Sequence, residues 1–272
     1  MKKALSSIGI VLFLLVVGLP LVWVLISSFR TTPEIISNPW GLPTTLKWSN
    51  YVTAWNTASI GQYFGNSLII CICTLAILIP ISAMAAYIFA KFPFWGSQGL
   101  FGTFLAGMMF PQFLVIVPLF LFIRDLGMLG TQQGLVLVYV AFSLPFTIFV
   151  LTGFFTALPD ELREASLIDG CNDVQTFYKV MMPLAKPGLV VVLIFNIIGL
   201  WNEYNLALVI LSRPERFTLP LGLANLTNTQ QYQSDWGALF AAMVIVMLPV
   251  LLVYWLLKEK IQEAMLAGAI KG

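Results

Sequence analysis

The residues able to do chemistry are few in this chain, and their types argue against catalysis. Among its 272 residues there is no histidine, so the commonest general base and the commonest metal ligand are both missing. The three cysteines, Cys71, Cys73 and Cys171, have no spacing typical of a zinc site or a disulfide framework. We therefore expect no catalytic residue, no metal site and no cofactor bound by this chain, and we predict that it is not an enzyme.

Glu203 is the one carboxylate that lies well inside a long apolar run. An ionisable side chain in such a run marks a functional site by default if the run crosses a membrane. Asn196 lies seven residues earlier and therefore on the same helical face, and Asn202 is adjacent. One interpretation is that Asn196, Asn202 and Glu203 line a solute pathway. The alternative is that Glu203 bonds a neighbouring helix or a partner subunit.

Residues 157–186 contain the densest charge in the sequence, eight of its 26 charged residues. Pro159 suits the first turn of a helix, and Asp169–Gly170 is typical of a helix end. Asn172 or Asp173 can cap a second helix. That helix would carry an apolar side at helical spacing, made of Val174, Phe177, Val180 and Met181. The pattern predicts two short helices joined by a tight elbow, with a shape suited to docking.

The elements that must position these residues are membrane helices. The composition is 59% hydrophobic and 10% charged, with a mean hydropathy of +0.92, whereas a soluble domain is typically about 25% charged. The net charge of +2 gives no indication of a nucleic-acid partner. We predict an all-α membrane protein in contact with lipid. Its six spans are expected near residues 8–29, 66–90, 100–123, 134–156, 187–211 and 237–257.

Lysine and arginine counts predict the orientation. With a cytoplasmic N-terminus, nine of these residues lie inside and five outside, and six spans return the C-terminus to the cytoplasm. The first span is too long for a typical cleaved leader and lacks an A-x-A site. We divide the chain into a first span with an external Trp- and Pro-rich segment (1–65), a core (66–258) that includes the internal loop 157–186, and a cytoplasmic tail (259–272).

The internal loop resembles a known signature. Glu164-Ala165-Ser166, three further residues, Gly170, nine residues and then Val180-Met181-Met182-Pro183 match the EAA motif of ABC importer permeases without a gap. The departures are Ser166 for the second alanine, Val180 for isoleucine and Met182 for leucine. The resemblance implies that the loop docks on a separate ATPase subunit through Glu164, Ala165, Ser166, Asp169, Gly170 and Pro183.

Other stretches extend the resemblance over most of the chain. Tyr63–Leu68 is similar to the entry of a core span in the carbohydrate-uptake branch, and Trp201–Tyr204 is similar to its W-N-E-F signature. The ending Gly268–Gly272 resembles the GAVKG tail of the maltose permease subunit. The resemblance implies the type I ABC importer permease fold in a bacterial inner membrane, with sugar as the solute. It also implies three partners: a second permease in a heterodimer, an ATPase dimer and an extracytoplasmic solute-binding protein.

The sequence contains no G-x-x-x-x-G-K-[ST] loop, so ATP and Mg²⁺ are expected on the partner ATPase subunits. Three alternatives stay open from the residues. An ABC importer for a non-sugar solute such as glycerol phosphate would fit the same motif. A secondary transporter would need further intramembrane ionisable residues for its coupling ion. A membrane enzyme would need a metal or paired-carboxylate site.

Overall fold

A computed structural model describes residues 2–233 and 235–269, and every regular element in these two ranges is helical. Three residues of the predicted cytoplasmic tail, 270–272, lie outside the described residues. The α-helices are Lys2–Ser27, Thr32–Ser37, Ser49–Val52, Ile60–Lys91, Ser97–Met109, Gln112–Asp125, Gln132–Thr156, Asp160–Ile168, Asp173–Thr176, Met182–Leu184, Lys186–Asn202, Asn205–Ile210, Leu219–Gln233 and Trp236–Ala269. Two π-helical turns, Thr53–Thr57 and Phe177–Met181, and a 3₁₀ turn, Pro214–Arg216, complete them.

Among the described residues, four segments are each long and apolar enough to cross a membrane: Gly9–Ser27, Ile60–Lys91, Gln132–Thr156 and Trp236–Leu256. Two further pairs of helices, each sharply bent at its junction, pass the same test together. The predicted number of six spans corresponds to the count in which each bent pair is one span. The all-α membrane architecture predicted from the sequence is thus confirmed over the described residues.

The third predicted span, 100–123, is interrupted in the structure. Helix Ser97–Met109 meets helix Gln112–Asp125 at an angle of 103°. Pro111 has no N–H to donate, and it disfavours helical backbone in the residue before it, so Phe110 is extended with ψ 123°. The proline therefore breaks the span near its middle.

The fifth predicted span, 187–211, is also interrupted. Its helix runs from Lys186 to Asn202 and stops at Glu203, which has an extended backbone with ψ 129°. A second short helix, Asn205–Ile210, follows. At its other end, helix Lys186–Asn202 is bent by 73° from the segment Asp173–Leu184. The apolar composition of residues 187–211 therefore predicted a span, but it did not predict that the helix breaks at Glu203.

The described residues form two compact units. The first unit draws on Met1–Asn66 and Phe217–Leu251, and the second unit draws on Ser67–Arg216 and Leu252–Gly272.

In the first unit, the segment after helix Lys2–Ser27 is organised by Arg30, which is 2% exposed. Its guanidinium donates to the carbonyls of Pro39 (3.1 Å) and Asn38 (2.6 Å), and also to that of Glu34. The Asn50 amide donates to the carbonyls of Ser28 (2.9 Å) and Arg30 (2.8 Å).

Glu34 closes the capping box of helix Thr32–Ser37. Its carboxylate accepts bonds from the Thr44 hydroxyl and from the Thr31 backbone N–H and hydroxyl. These donors, with the Thr44 hydroxyl first, lower the pKa of Glu34 to about 2. Because this pKa is depressed, the carboxylate's contribution to stability is complete above its ordinary pKa of 4.5 and is lost as the pH falls towards 2.

The second unit has a core in which four helical elements meet. Ala83 and Tyr87 from helix Ile60–Lys91 pack with Phe155, Phe177 and Val192, each from a different element. The approach is close at Gly188, where an added Cβ would lie 2.5 Å from the Phe154 ring. Small residues of this kind let membrane helices pack tightly.

We expect Arg30→Met to destabilise the first unit, because three carbonyl groups would lose a charged donor in a buried site. The expected cost is about 3 kcal/mol. A lower midpoint of thermal unfolding in detergent would show it. Lys47→Met is the matched control, since the Lys47 side chain is exposed. Equal midpoints for the two variants would contradict this role of Arg30.

Candidate functional site

The charged loop folds into a helical hairpin, residues 160–184, and this confirms the predicted pair of short helices. The first helix, Asp160–Ile168, follows Pro159, and Asp160 and Glu161 place negative charge in its first turn. Such charge is favoured there by the helix dipole. The chain then reverses at Gly170, whose φ of +85° lies in the left-handed region that a glycine adopts without strain.

Asn172 begins the second helix of the hairpin. Its side chain accepts from the Gln175 N–H (2.8 Å), and the Gln175 side chain accepts from the Asn172 N–H (3.1 Å). The helix continues through the π-helical turn Phe177–Met181 to Leu184. Pro183 lacks an N–H and cannot bond the carbonyl four residues earlier, which fits the widened turn before it.

The six residues predicted to bind an ATPase subunit all lie on this hairpin or at its end. Glu164, Ala165, Asp169, Gly170 and Pro183 are exposed. Ser166 is buried, 5% exposed, and shares a hydrogen bond of 2.7 Å with the Thr176 hydroxyl on the second helix. Five of the six are thus accessible to another protein, whereas Ser166 holds the two helices together.

The second helix is embedded in the core of its unit. Phe177 and Met181 are buried there, as their predicted place on an apolar side requires. Val174 was predicted on the same side, but it is 64% exposed. Together with Ile168, which is 85% exposed, it gives the hairpin an outward apolar surface beside its acidic residues.

One ion pair attaches the hairpin to a neighbouring helix, and a second joins its own two helices. The Lys91 ammonium donates to an Asp160 carboxylate oxygen at 2.6 Å, and this bond is the first cause of a pKa of Asp160 below its ordinary value. Arg163 donates to Asp173 at 3.1 Å and so joins the two helices. The two ion pairs hold the hairpin against helix Ile60–Lys91 and hold its own helices against each other.

A cavity of about 240 Å³ lies between helices of the second unit. Two of the predicted pathway residues, Asn196 and Glu203, line it, as their shared helical face predicts. Asn202 does not line it: its side chain is exposed and donates to the Ile198 carbonyl at 2.8 Å. The other lining residues are Gln112, Tyr139, Phe142, Ser143, Phe195, Gly199, Leu200 and Leu206.

Glu203 accepts three hydrogen bonds at the break in the fifth predicted span. Its carboxylate takes the N–H groups of Leu206 (2.7 Å) and Ala207 (3.1 Å) in the first turn of helix Asn205–Ile210. The Tyr139 hydroxyl of helix Gln132–Thr156 donates to the same carboxylate at 2.7 Å. Glu203 therefore caps a helix and bonds a neighbouring helix, while remaining half-buried at the cavity.

Asn196 is buried and bridges two helices. Its amide donates to the Thr147 hydroxyl (3.1 Å) and to the Val192 carbonyl (2.7 Å). Both amide hydrogens are used in these bonds, so the carbonyl oxygen is the group that Asn196 can offer to a ligand.

Sequence reasoning missed several polar residues of this region. Gln112, Tyr139 and Ser143 each lie within an apolar run, and a polar side chain in such a run was the signal that could have found them. Lys91 also contacts the hairpin, and the sequence analysis counted it only among the basic residues that predict the orientation. Its partners are about 70 residues away, and one sequence does not reveal that contact.

The chain is similar to known transport proteins over nearly its whole length. Residues 78–262 match the family described as binding-protein-dependent transport system inner membrane component. The chain is 43% identical over 268 residues to the diacetylchitobiose uptake system permease protein NgcG of Streptomyces coelicolor. This alignment covers 98% of this chain and 89% of that protein. It is 33% identical to the trehalose transport system permease protein SugB of Mycobacterium tuberculosis, over 96% of each.

Solved structures show the same fold. A chain in the crystal structure of a bacterial ABC transporter involved in the import of the acidic polysaccharide alginate aligns with a TM-score of 0.80 at 22% identity, over 95% of both chains. A chain of the MetNI methionine ABC transporter aligns with a TM-score of 0.55 at 17% identity, over 75% of this chain and 94% of that one. The type I ABC importer permease fold expected from the sequence is confirmed.

We expect Glu203→Ala to destabilise the second unit by about 2 kcal/mol, since three donors at a helix break lose their acceptor. Glu203→Gln should cost less, because one oxygen remains, and Tyr139→Phe least, about 0.6 kcal/mol. Thermal unfolding in detergent measures this order. Asn202→Ala, at the adjacent exposed amide, is the control. If Glu203→Ala unfolds at the wild-type temperature, the cap contributes nothing.

Proposed function

The chain belongs to the family of binding-protein-dependent transport system inner membrane components, and from this membership we propose that it forms half of the translocation pathway of an ATP-driven sugar importer. As a permease it is a multi-pass protein of the inner membrane and a transport subunit rather than an enzyme. The observation that carries the proposal is the hairpin, which presents five of the six motif residues at the surface while its second helix is anchored in the core.

The hairpin is proposed as the docking site of an ATPase subunit. Glu164, Asp169 and Asp173 give its surface acidic groups, and Ile168 and Val174 give it exposed apolar side chains. A partner with a basic, apolar-lined groove would match both. ATP and Mg²⁺ belong to that partner in this proposal. Docking from the cytoplasm implies that both termini are cytoplasmic, and we propose this orientation. In the same proposal, 1–65 is the first span with its external segment, 66–258 is the core and 259–272 is the cytoplasmic tail.

Two further partners complete the proposed importer. A second permease, in a heterodimer, would supply the other half of the pathway, and an extracytoplasmic solute-binding protein would deliver the solute. The family description supports the second of these, since it names a binding-protein-dependent system. ATP-driven movement at the hairpin would then change which side of the membrane the pathway opens to.

Within the chain, Asn196, Asn202 and Glu203 are proposed to line the pathway. Of these, Asn196 and Glu203 share the cavity with the amide of Gln112 and the hydroxyl of Ser143. These groups can bond sugar hydroxyls, and the rings of Phe142 and Phe195 add apolar surface.

The charges of the cavity favour a sugar over glycerol phosphate. Its lining includes one carboxylate and, among the described residues, no lysine or arginine. A phosphate group is normally held by such cations. The two relatives reported above are named for diacetylchitobiose and trehalose, and neither name includes a phosphate group. A neutral di- or oligosaccharide is therefore the proposed solute.

Affinity purification through this chain from membranes tests the docking. We expect an ATPase subunit and a second permease to accompany the wild-type chain. Glu164→Arg should lose the ATPase subunit by charge reversal, and Gly170→Val by strain at a left-handed position. Both should keep the second permease. Asp125→Arg, the same charge reversal outside the hairpin, is the control.

Two results would overturn the proposal. One is undiminished recovery of the ATPase subunit with both hairpin variants. The other is sugar uptake by vesicles that contain this chain and no ATPase, which would instead make it a secondary transporter. In the reconstituted complex, excess unlabelled disaccharide should compete with labelled solute, and glycerol phosphate should not.

A further inference from the structure

We propose that Lys91 and Arg163 are positioning residues for transport, which attach the hairpin to the end of helix Ile60–Lys91 so that this helix moves when the hairpin moves. The inference rests on the proposed function, because it takes the hairpin to be the surface that an ATPase subunit displaces. It adds the route by which that displacement enters the membrane helices of this chain.

Lys91 joins the ends of three helices. It is the last residue of helix Ile60–Lys91, and its side chain is 4% exposed. The ammonium donates to the Leu158 carbonyl and to Asp160, each at 2.6 Å. Leu158 lies just after helix Gln132–Thr156, and Asp160 begins helix Asp160–Ile168. A buried ammonium is costly unless it is paired, so these two acceptors hold Lys91 in place.

Arg163 makes a second attachment one turn along the hairpin. Its guanidinium carbon lies 4.6 Å from the centre of the Phe92 ring, a cation–π contact. The Phe92 N–H donates to the Ile88 carbonyl at 3.0 Å, so this ring stays fixed to the end of helix Ile60–Lys91. The same guanidinium donates to Asp173 on the second helix of the hairpin. Arg163 therefore links the two helices of the hairpin to Phe92, the residue that follows helix Ile60–Lys91.

Apolar contacts beneath these polar ones resist separation. The Tyr87 ring lies 5.1 Å from the ring of Phe177 and 5.5 Å from that of Phe155, measured between centroids. Apolar surfaces attract without strong directionality, whereas hydrogen bonds and a stacked guanidinium require particular positions. We infer that the aromatic cluster keeps the elements together, and that Lys91 and Arg163 fix their register.

The test separates transmission of movement from stability. The complete importer, with its ATPase, second permease and binding protein, is reconstituted in liposomes, and both solute uptake and ATP hydrolysis are measured. We expect Lys91→Met and Arg163→Lys to continue hydrolysing ATP while the uptake per ATP falls about fivefold or more. Asp160→Ala, at a side chain 72% exposed, should fold normally and give a smaller decrease of the same kind.

Two controls make the outcome decisive. Arg124→Gln breaks an exposed ion pair with Asp125 in the same unit and should leave uptake per ATP unchanged. Lys91→Arg keeps a cation beside Asp160 and should retain most of the wild-type ratio. If Lys91→Arg loses as much as Lys91→Met, the ion pair is not the cause and the inference is wrong.

Two further results would also refute it. One is a wild-type ratio in assembled Lys91→Met and Arg163→Lys complexes. The other is a parallel fall in hydrolysis and uptake, which indicates a merely structural role. Failure of the proposed function looks different, because the wild-type chain itself would then recover no ATPase subunit.

Discussion

The need to satisfy backbone hydrogen bonds at breaks within membrane helices dominates the design of this protein. Lipid supplies no donors or acceptors, so a break is tolerated where protein groups or a water-lined cavity replace the lost bonds. At Glu203 the carboxylate takes two of the freed N–H groups. At Pro111 one N–H is missing by covalent structure, and Gln112 beside it lines the same cavity as Glu203. Both interruptions therefore place polar groups on one cavity.

Two kinds of contact hold the hairpin, and they act at different depths. Its second helix is fixed by burial of Phe177 and Met181. Its first helix has little buried surface, with Ser166 its buried residue. It depends on directional bonds: Lys91 to Asp160, Arg163 to Asp173 on the second helix, and the hydroxyl pair of Ser166 and Thr176. The arrangement leaves the acidic and apolar residues of the first helix and the elbow facing outward while their positions remain defined. A surface that docks another subunit, as proposed for this hairpin, needs both properties.

The sequence predicted the features that depend on composition and local chemistry. Long apolar runs located the spans, and Gly170 and Asn172 located the elbow and cap of the hairpin because their backbone preferences are local. It did not predict the breaks at Pro111 and Glu203, since an apolar window averages over a single residue. Nor did it identify the contacts of Lys91 with Leu158 or of Tyr139 with Glu203, which join residues more than 60 positions apart. The roles of Asn202 and of the exposed motif residues remain predictions, because they concern molecules outside this chain.

The hydroxyl pair of Ser166 and Thr176 carries a consequence for the evolution of the loop. Thr176 is 0% exposed, and its hydroxyl bonds the Ser166 hydroxyl. A chain with the motif's alanine in place of Ser166 would lack that hydroxyl, so a threonine at the position of Thr176 would be buried without this bond. A buried hydroxyl without a partner costs about 1–3 kcal/mol, so we expect the two positions to vary together. Among homologues, serine at the first site should occur together with a hydroxyl residue at the second, and alanine with an apolar one. On that expectation, the serine that departs from the family motif is one half of a correlated pair.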